Sequence, residues 1–422
     1  MLDAERLCMK CMKGIMTGRY CAFCGSEQLT TQEMNNALPL RSILNGRYLV
    51  GRILGAGGFG ITYLGYDLVN ARRIAIKEFM PSGLVRRTPG QTTMQVVADQ
   101  KEYTDSKQRF LDEARIIYHY QKNPHILQVY SLFEENGTAY YVMEFLEGSD
   151  LKHFLKQKGG RISWQELMPI AMQVIDALTV LHRDGVVHRD ISPDNIFLSP
   201  QGKATLIDFG AARLFVAQKQ LTVILKRKYA PIEQYQSKGK QGPWTDIYAL
   251  AATLYHSLTG QLPPEATARA YRDEIKTFKQ CGVILEERVE KAIYKALRVE
   301  PEERYQNIVD FRNDLLGIQS EVKLVCLAGM YQGMELKLDG YVTVGRNPAS
   351  CQLIYPAEAR GISSVHCMFS TKESGMRMAV RDMGSTYGTW VNGMKLSGNG
   401  YRQLSDGDQI TFGENQIWQI KS

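Results

Sequence analysis

The chain reads as a multidomain α+β protein with a cysteine-bearing head, a middle that passes from strands to helices, and an all-β tail. Three observations carry this. Four of the eight cysteines fall in two Cys-x-x-Cys pairs before residue 25. Alternating apolar and polar residues (Tyr48-Leu49-Val50, Ile61-Thr62-Tyr63-Leu64, Ile74-Ala75-Ile76) give way to helical periodicity after Leu151. From about Val322 to Ile420, short strand patterns alternate with Gly, Asn and Asp turns.

At 422 residues the chain exceeds what one core serves, so two or three domains are expected. Its 44% hydrophobic and 23% charged residues suit a soluble globular protein. The net charge of +7 is dispersed and forms no Lys/Arg block, so no nucleic-acid partner is expected. No run of 18 apolar residues suggests a membrane span, and Met1 to Arg6 lack the apolar core of a signal peptide. A cytoplasmic location with reduced cysteines follows as the expectation.

In the head, Cys8-x-x-Cys11 and Cys21-x-x-Cys24 can turn four thiolates toward one centre, which suits tetrahedral Zn²⁺. The loop between them is short, but Gly14 and Gly18 allow a tight reversal. Free thiols or a redox pair are the alternatives, and a segment this small has no other means of folding than a metal. Residues 1–27 look like a zinc ribbon. The polar stretch 28–46 is expected to be a linker. Cys281, Cys326, Cys351 and Cys367 lack such spacing and are expected in packing.

The middle carries Gly55-Ala56-Gly57-Gly58-Phe59-Gly60, then Lys77, then His188-Arg189-Asp190 with Asn195, then Asp208-Phe209-Gly210. A single glycine motif is weak evidence, but four motifs in this order resemble the eukaryotic-type (Hanks-type) serine/threonine protein kinases of bacteria. The resemblance implies a bilobal kinase fold over 47–317, with ATP and Mg²⁺ or Mn²⁺ as cofactors and protein hydroxyls as substrates. Gly55, Gly57, Gly58 and Gly60 would let the backbone approach the phosphates, with Leu54 and Thr62 covering the adenine. Lys77 would reach the α/β-phosphates, paired with Glu113 of Phe110-Leu111-Asp112-Glu113. Met143 would line the adenine pocket, and the backbone of Glu144 and Leu146 would meet the base. Asp190 would accept the hydroxyl proton, while Asn195 and Asp208 would hold Mg²⁺. His188 is expected to pack, and Arg189 to face a phosphate on the activation segment. Glu233 would pair with Arg304, and Asp246 would brace the catalytic loop. An insertion from about Pro81 to Lys107 is expected to form a hairpin.

Two positions depart from the family. Ser192 stands where a lysine touches the γ-phosphate, and Lys226 stands where a threonine faces that lysine. A charge swap would let Lys226 reach the transferred phosphate. The alternative is a non-catalytic pseudokinase scaffold.

In the tail, Gly345-Arg346, Ser363-Ser364-Val365-His366 and Ser385-Thr386-Tyr387-Gly388 with Asn392 resemble the forkhead-associated domain over 322–422. The resemblance implies a β-sandwich that reads phosphothreonine through Arg346, Ser363, Ser364 and Thr386, with Asn392 bracing the loops or touching the peptide. His366 would hold the Ser363 loop. Tyr387 stands where the family has asparagine, which weakens the expected peptide contact. The partners implied are protein substrates and phosphothreonine-bearing proteins. The chain's own Thr88, Thr92, Thr93 or Thr222 are candidate marks.

Overall fold

A computed structural model of the chain describes residues 4–58, 60–209, 213–214, 228–236, 239–318, 322–371, 378–397 and 400–421. Phe59, Gly210, Thr222 and Lys226 lie outside the described residues. The chain divides into two compact units, 1–317 and 318–422, each with its own core.

In the first unit, strands Ile43–Leu44, Tyr48–Gly57, Gly60–Asp67, Arg72–Phe79, Thr138–Glu144 and Val129–Glu135 make one antiparallel sheet in that order. The helix Gln100–His119 buries Phe110, Leu111, Ala114 and Ile117 in the core it shares with the sheet. These positions recur at helical spacing, which is why that face turns inward. The helix begins earlier than the expected end of the insertion at Lys107. Asp99 caps it by accepting from the Glu102 N–H at its first turn. The rest of the insertion does form a hairpin, Val85–Arg87 against Met94–Val96.

Residues 28–46 do not behave as a free linker. Leu38 and Leu44 are fully buried in the main core, the Leu38 N–H donates to Tyr63, and Ile43–Leu44 adds the outer strand of the sheet. Apolar residues isolated in polar sequence give no periodic signal, so their anchoring is invisible locally.

Below the sheet the unit is helical. Helices Trp164–Arg183, Pro243–Thr259, Glu287–Ala296 and Ile308–Leu316 contribute most of the remaining core. Trp164–Arg183 starts at a capping box in which Ser163 and Glu166 satisfy each other's backbone N–H.

The second unit packs two sheets. One runs Glu335–Leu338, Val322–Ala328, Gln416–Lys421, Gln409–Phe412, Thr389–Val391, Met394–Lys395. The other runs Leu353–Ile354, Tyr341–Gly345, Cys367–Ser370, Ala379–Asp382, Arg402–Gln403. Alternate residues such as Val342, Val344, Cys367, Phe369, Ile410 and Phe412 point inward around Trp418, whose ring N–H donates to Tyr355.

Candidate functional site

Sheet register lines the glycine turn up with Lys77. Gly55 pairs with Thr62, Thr62 with Lys77, and Lys77 with Tyr141, so one row crosses four strands from the glycine turn inward. Directly paired residues share a face of the sheet. Among the described residues, a Cβ at Gly55, Gly57 or Gly58 would meet no atom within 4 Å beyond its chain neighbours, so the packing described there does not require these glycines. Gly60 differs: a Cβ there would lie 2.2 Å from the carbonyl of Glu78, so this glycine serves strand packing.

Lys77 Nζ sits 3.0 Å from Glu113 Oε1 and 3.6 Å from Asp208 Oδ1. Tyr141, which sequence reasoning missed, donates its hydroxyl to Glu113 at 3.0 Å and lies under Lys77. Its only sequence signal is the strand period, which puts it on one face with Met143. Burial alone would lower the Lys77 pKa, but Glu113, Tyr141 and Asp208 outweigh it and hold the ammonium well above the usual lysine range. Burial pushes Glu113 up from the usual carboxylate range, opposed by Lys77. Asp208 stays half exposed, toward the open side of the cluster.

Asn195 donates from Nδ2 to both the carbonyl and the carboxylate of Asp190, at 2.7 and 2.8 Å. Arg189 adopts φ 70° and Asp208 φ 60°, a left-handed conformation that side chains disfavour. Asp246 holds the first in place: it accepts from the backbone N–H groups of His188 and Arg189 at 2.8 and 2.7 Å, and from His182 at 2.8 Å. Burial would raise the Asp246 pKa, but His182, His188 and the Arg189 N–H keep it below the usual range. His188 is fully buried, its ring edge-on to Phe209 at 4.6 Å. Ser192 is fully buried and closes the same loop by accepting from the Asn195 N–H.

Further supports surround the loop. Glu233 and Arg304 form a buried two-pronged pair at 2.9 and 3.1 Å, and Thr245 donates a third hydrogen bond to Glu233. At the far end of the cleft, the Glu144 N–H is taken by the Gln128 carbonyl at 2.9 Å. Met143 and Leu146 are half-buried beside it and pack on the main core. Leu54 packs with Phe145 against a separate cluster of Leu7, Met9, Met12, Leu49, Leu64 and Tyr66.

In the head, the Sγ atoms of Cys8, Cys11, Cys21 and Cys24 lie within 4.8 Å of one another. Each Cys-x-x-Cys turns back on itself, through Met12 N–H to Cys8 O and Gly25 N–H to Cys21 O, and the Phe23 N–H points at Cys21 Sγ. Four convergent sulfurs with no disulfide match the donor set of a closed zinc site.

In the second unit, Arg346, Ser363 and Thr386 line one cavity with Arg360, Glu358 and Tyr387. The Thr386 N–H donates to Ser363 Oγ at 3.0 Å, and Arg346 donates to the Ala357 carbonyl at 3.1 Å. His366 is fully buried, accepts from the Ser363 N–H and bonds the Gly388 carbonyl, tying both loops together. Ser364 and Asn392 do not line the cavity. The Ser364 carbonyl instead receives the N–H groups of Arg346 and Asn347, and Asn392 binds Asp408 and the Gln409 N–H. Arg360 escaped sequence reasoning because its loop position carries no pattern.

Comparison with known proteins agrees with this geometry. Residues 48–322 match the protein kinase domain model, and residues 342–413 match the FHA domain model. The serine/threonine-protein kinase PrkC of Bacillus subtilis is 29% identical over 282 residues, covering 64% of this chain and 40% of that protein. The serine/threonine-protein kinase PknA of Nostoc sp. is 31% identical over 278 residues, 63% of this chain and 46% of that protein. This chain therefore spans less than half the length of these curated relatives. The solved structure titled PpkA-294 apo form superposes with a TM-score of 0.60 at 33% identity, covering 66% of this chain and 99% of that one. Among the described residues no helix is long and apolar enough to cross a membrane. With the kinase model matching more than half of its length, and an FHA domain behind it, the chain belongs to the protein kinase family.

Proposed function

We propose that this protein is a serine/threonine kinase that moves the ATP γ-phosphate onto protein hydroxyls and reads phosphothreonine with its C-terminal unit. The observation that carries the reading is the convergence of Lys77, Glu113 and Asp208 beside Asn195 on Asp190. Lys77, oriented by Glu113, grips the α/β-phosphates. Gly55, Gly57 and Gly58 leave room above for the phosphate chain. Leu54, Thr62, Met143, Leu146 and the carbonyl of Glu144 surround the adenine. Asp190 orients the substrate hydroxyl and takes its proton, with Asn195 fixing the carboxylate. Asn195 and Asp208 would hold Mg²⁺ or Mn²⁺, which would supply positive charge against that developing on the phosphates. Cys8, Cys11, Cys21 and Cys24 hold Zn²⁺. Reduced thiols and a need for ATP suit a cytoplasmic reaction.

In the C-terminal unit, Arg346, Ser363 and Thr386 receive the phosphate, since a guanidinium beside short hydroxyl donors suits a dianion. Ser364 and Asn392 shape the loops. Thr88 and Thr93 are exposed on the hairpin and are candidate self-sites.

The experiment is phosphate transfer from ATP and Mg²⁺ to the protein itself, for wild type and Asp190→Asn, followed by titration of wild type and Arg346→Ala with matched peptides. The reading expects transfer lost in Asp190→Asn, and phosphopeptide preference lost in Arg346→Ala. Nucleotide binding without transfer in wild type would make the chain a pseudokinase scaffold, the reading Ser192 favours.

A further inference from the structure

The four-cysteine head is built into the first unit rather than tethered to it. The Arg52 N–H donates to Met9 O at 3.1 Å, Arg52 Nε to Lys10 O at 2.9 Å, and Arg41 to Leu7 O at 2.9 Å. Arg52 lies on Tyr48–Gly57, the strand that runs directly into the glycine turn, and Arg41 is tied to it by its own N–H, which donates to Val50 O.

Two further contacts reach the nucleotide cleft. Met12, in the left-handed conformation (φ 51°) that its Cys-x-x-Cys turn imposes, lays its methyl over Gly51. A Cβ at Gly51 would lie 2.5 Å from Met12 Cε and 2.9 Å from Met9 O, so only glycine admits this approach. Lys13 pairs with Glu147 at 2.8 Å, immediately after the hinge, residues 143–146, assigned above to the adenine, and Arg73 joins Glu147 while lying over the Phe145 ring. Strand and hinge thus meet on one apolar cluster through Leu54 and Phe145, with Met12 beneath.

We propose that the four-cysteine head is a positioning element of the nucleotide site, in which Met12 and Lys13 hold the Gly51–Leu54 strand against the hinge so that the metal state of the head sets affinity for ATP. This rests on the assignment of the cleft to ATP and of the four thiolates to zinc. The physical link is short. Without the cation that gathers the sulfurs, the turn that forces Met12 into its conformation is no longer closed, and the strand loses its support. Met12 and Lys13 touch no reacting atom and act through the strand and the hinge.

The test is titration of the full chain with a non-hydrolysable ATP analogue and Mg²⁺, alongside metal analysis. Variants are Lys13→Ala, Lys13→Arg and Gly51→Ala, each also after chelator treatment. Lys13→Ala should weaken analogue binding by about two- to fivefold, the range of a partly exposed ion pair, and Lys13→Arg should restore it. Gly51→Ala should weaken it about tenfold by overpacking. Stripping the metal should weaken wild type similarly and Gly51→Ala little further. In steady state, KM for ATP should rise while kcat and KM for peptide stay within about twofold of wild type, which separates positioning from general damage.

Stoichiometric zinc with analogue affinity unmoved by both substitutions would overturn the proposal and leave the metal site standing. No zinc, with affinity still lowered by Lys13→Ala, would remove the metal from the argument and support the positioning role of the head itself. A wild type that binds no analogue would overturn this proposal together with the ATP assignment.

Discussion

Replacing Glu113 by Gln removes one charge and keeps the size and an acceptor oxygen. Lys77 Nζ lies 3.0 Å from Glu113 Oε1, with the glutamate side chain 7% exposed. Coulomb's law at an effective dielectric of about 20 gives ~5.5 kcal/mol for that separation. Desolvation of both groups and the hydrogen bond that Gln retains offset part of it, leaving roughly 2–3 kcal/mol of lost positioning. Asp208, 3.6 Å away, is then the remaining carboxylate for Lys77, which draws the ammonium toward it. By the relation of 1.36 kcal/mol per tenfold, kcat/KM should fall by about 30- to 150-fold. The pH profile supplies a second readout. Burial raises the Glu113 pKa, so as pH falls this carboxylate protonates before an ordinary glutamate and the ion pair is lost early. Wild type should therefore lose activity at a pH above the usual glutamate range, and Glu113→Gln should flatten that acid limb. The assay is initial-rate transfer to a generic peptide across pH, at saturating and limiting ATP. A Glu113→Gln enzyme within about twofold of wild type, with the acid limb unchanged, would refute the reasoning.

Two other outcomes can be checked. If Lys226 supplies the charge absent at Ser192, Lys226→Ala should lower kcat by roughly ten- to a thousandfold with ATP affinity little changed, measured by steady-state kinetics; unchanged kcat removes the swap. His366 is the only histidine of residues 318–422, and burial holds its pKa below the usual range. The unfolded chain then binds more protons below about pH 6.5, so thermal stability of the C-terminal unit should fall as pH drops from about 6.5 toward the folded value, and not above it. A melting temperature flat from about pH 7.5 to 5.5 would contradict this.

The kinase motifs, and the contacts among Lys77, Glu113, Asp208, Asp190 and Asn195, were legible in the sequence because such motifs use particular residue types in a particular order. A glycine turn, a lysine, an aspartate with an asparagine five residues on, and a second aspartate have few substitutes, and the four cysteines declare themselves by spacing alone. The pairing of Glu233 with Arg304 was readable on the same grounds, since both belong to motifs. Tertiary structure alone decided what depends on distant neighbours. Tyr141 matters because register sets it opposite Lys77. Gly60 parts from Gly55, Gly57 and Gly58 because only it faces the Glu78 carbonyl across the sheet. Leu38 and Leu44 carry no periodic signal, yet the core closes over them. Ser364 braces its loop rather than lining the cavity, because its carbonyl receives the N–H groups of Arg346 and Asn347, and of the two roles the sequence left open for Asn392 the structure shows the bracing one. The docking of the head on Gly51 could not be read from either segment. A local pattern records which face of an element is apolar, and what that face meets is set only when the chain brings remote surfaces together.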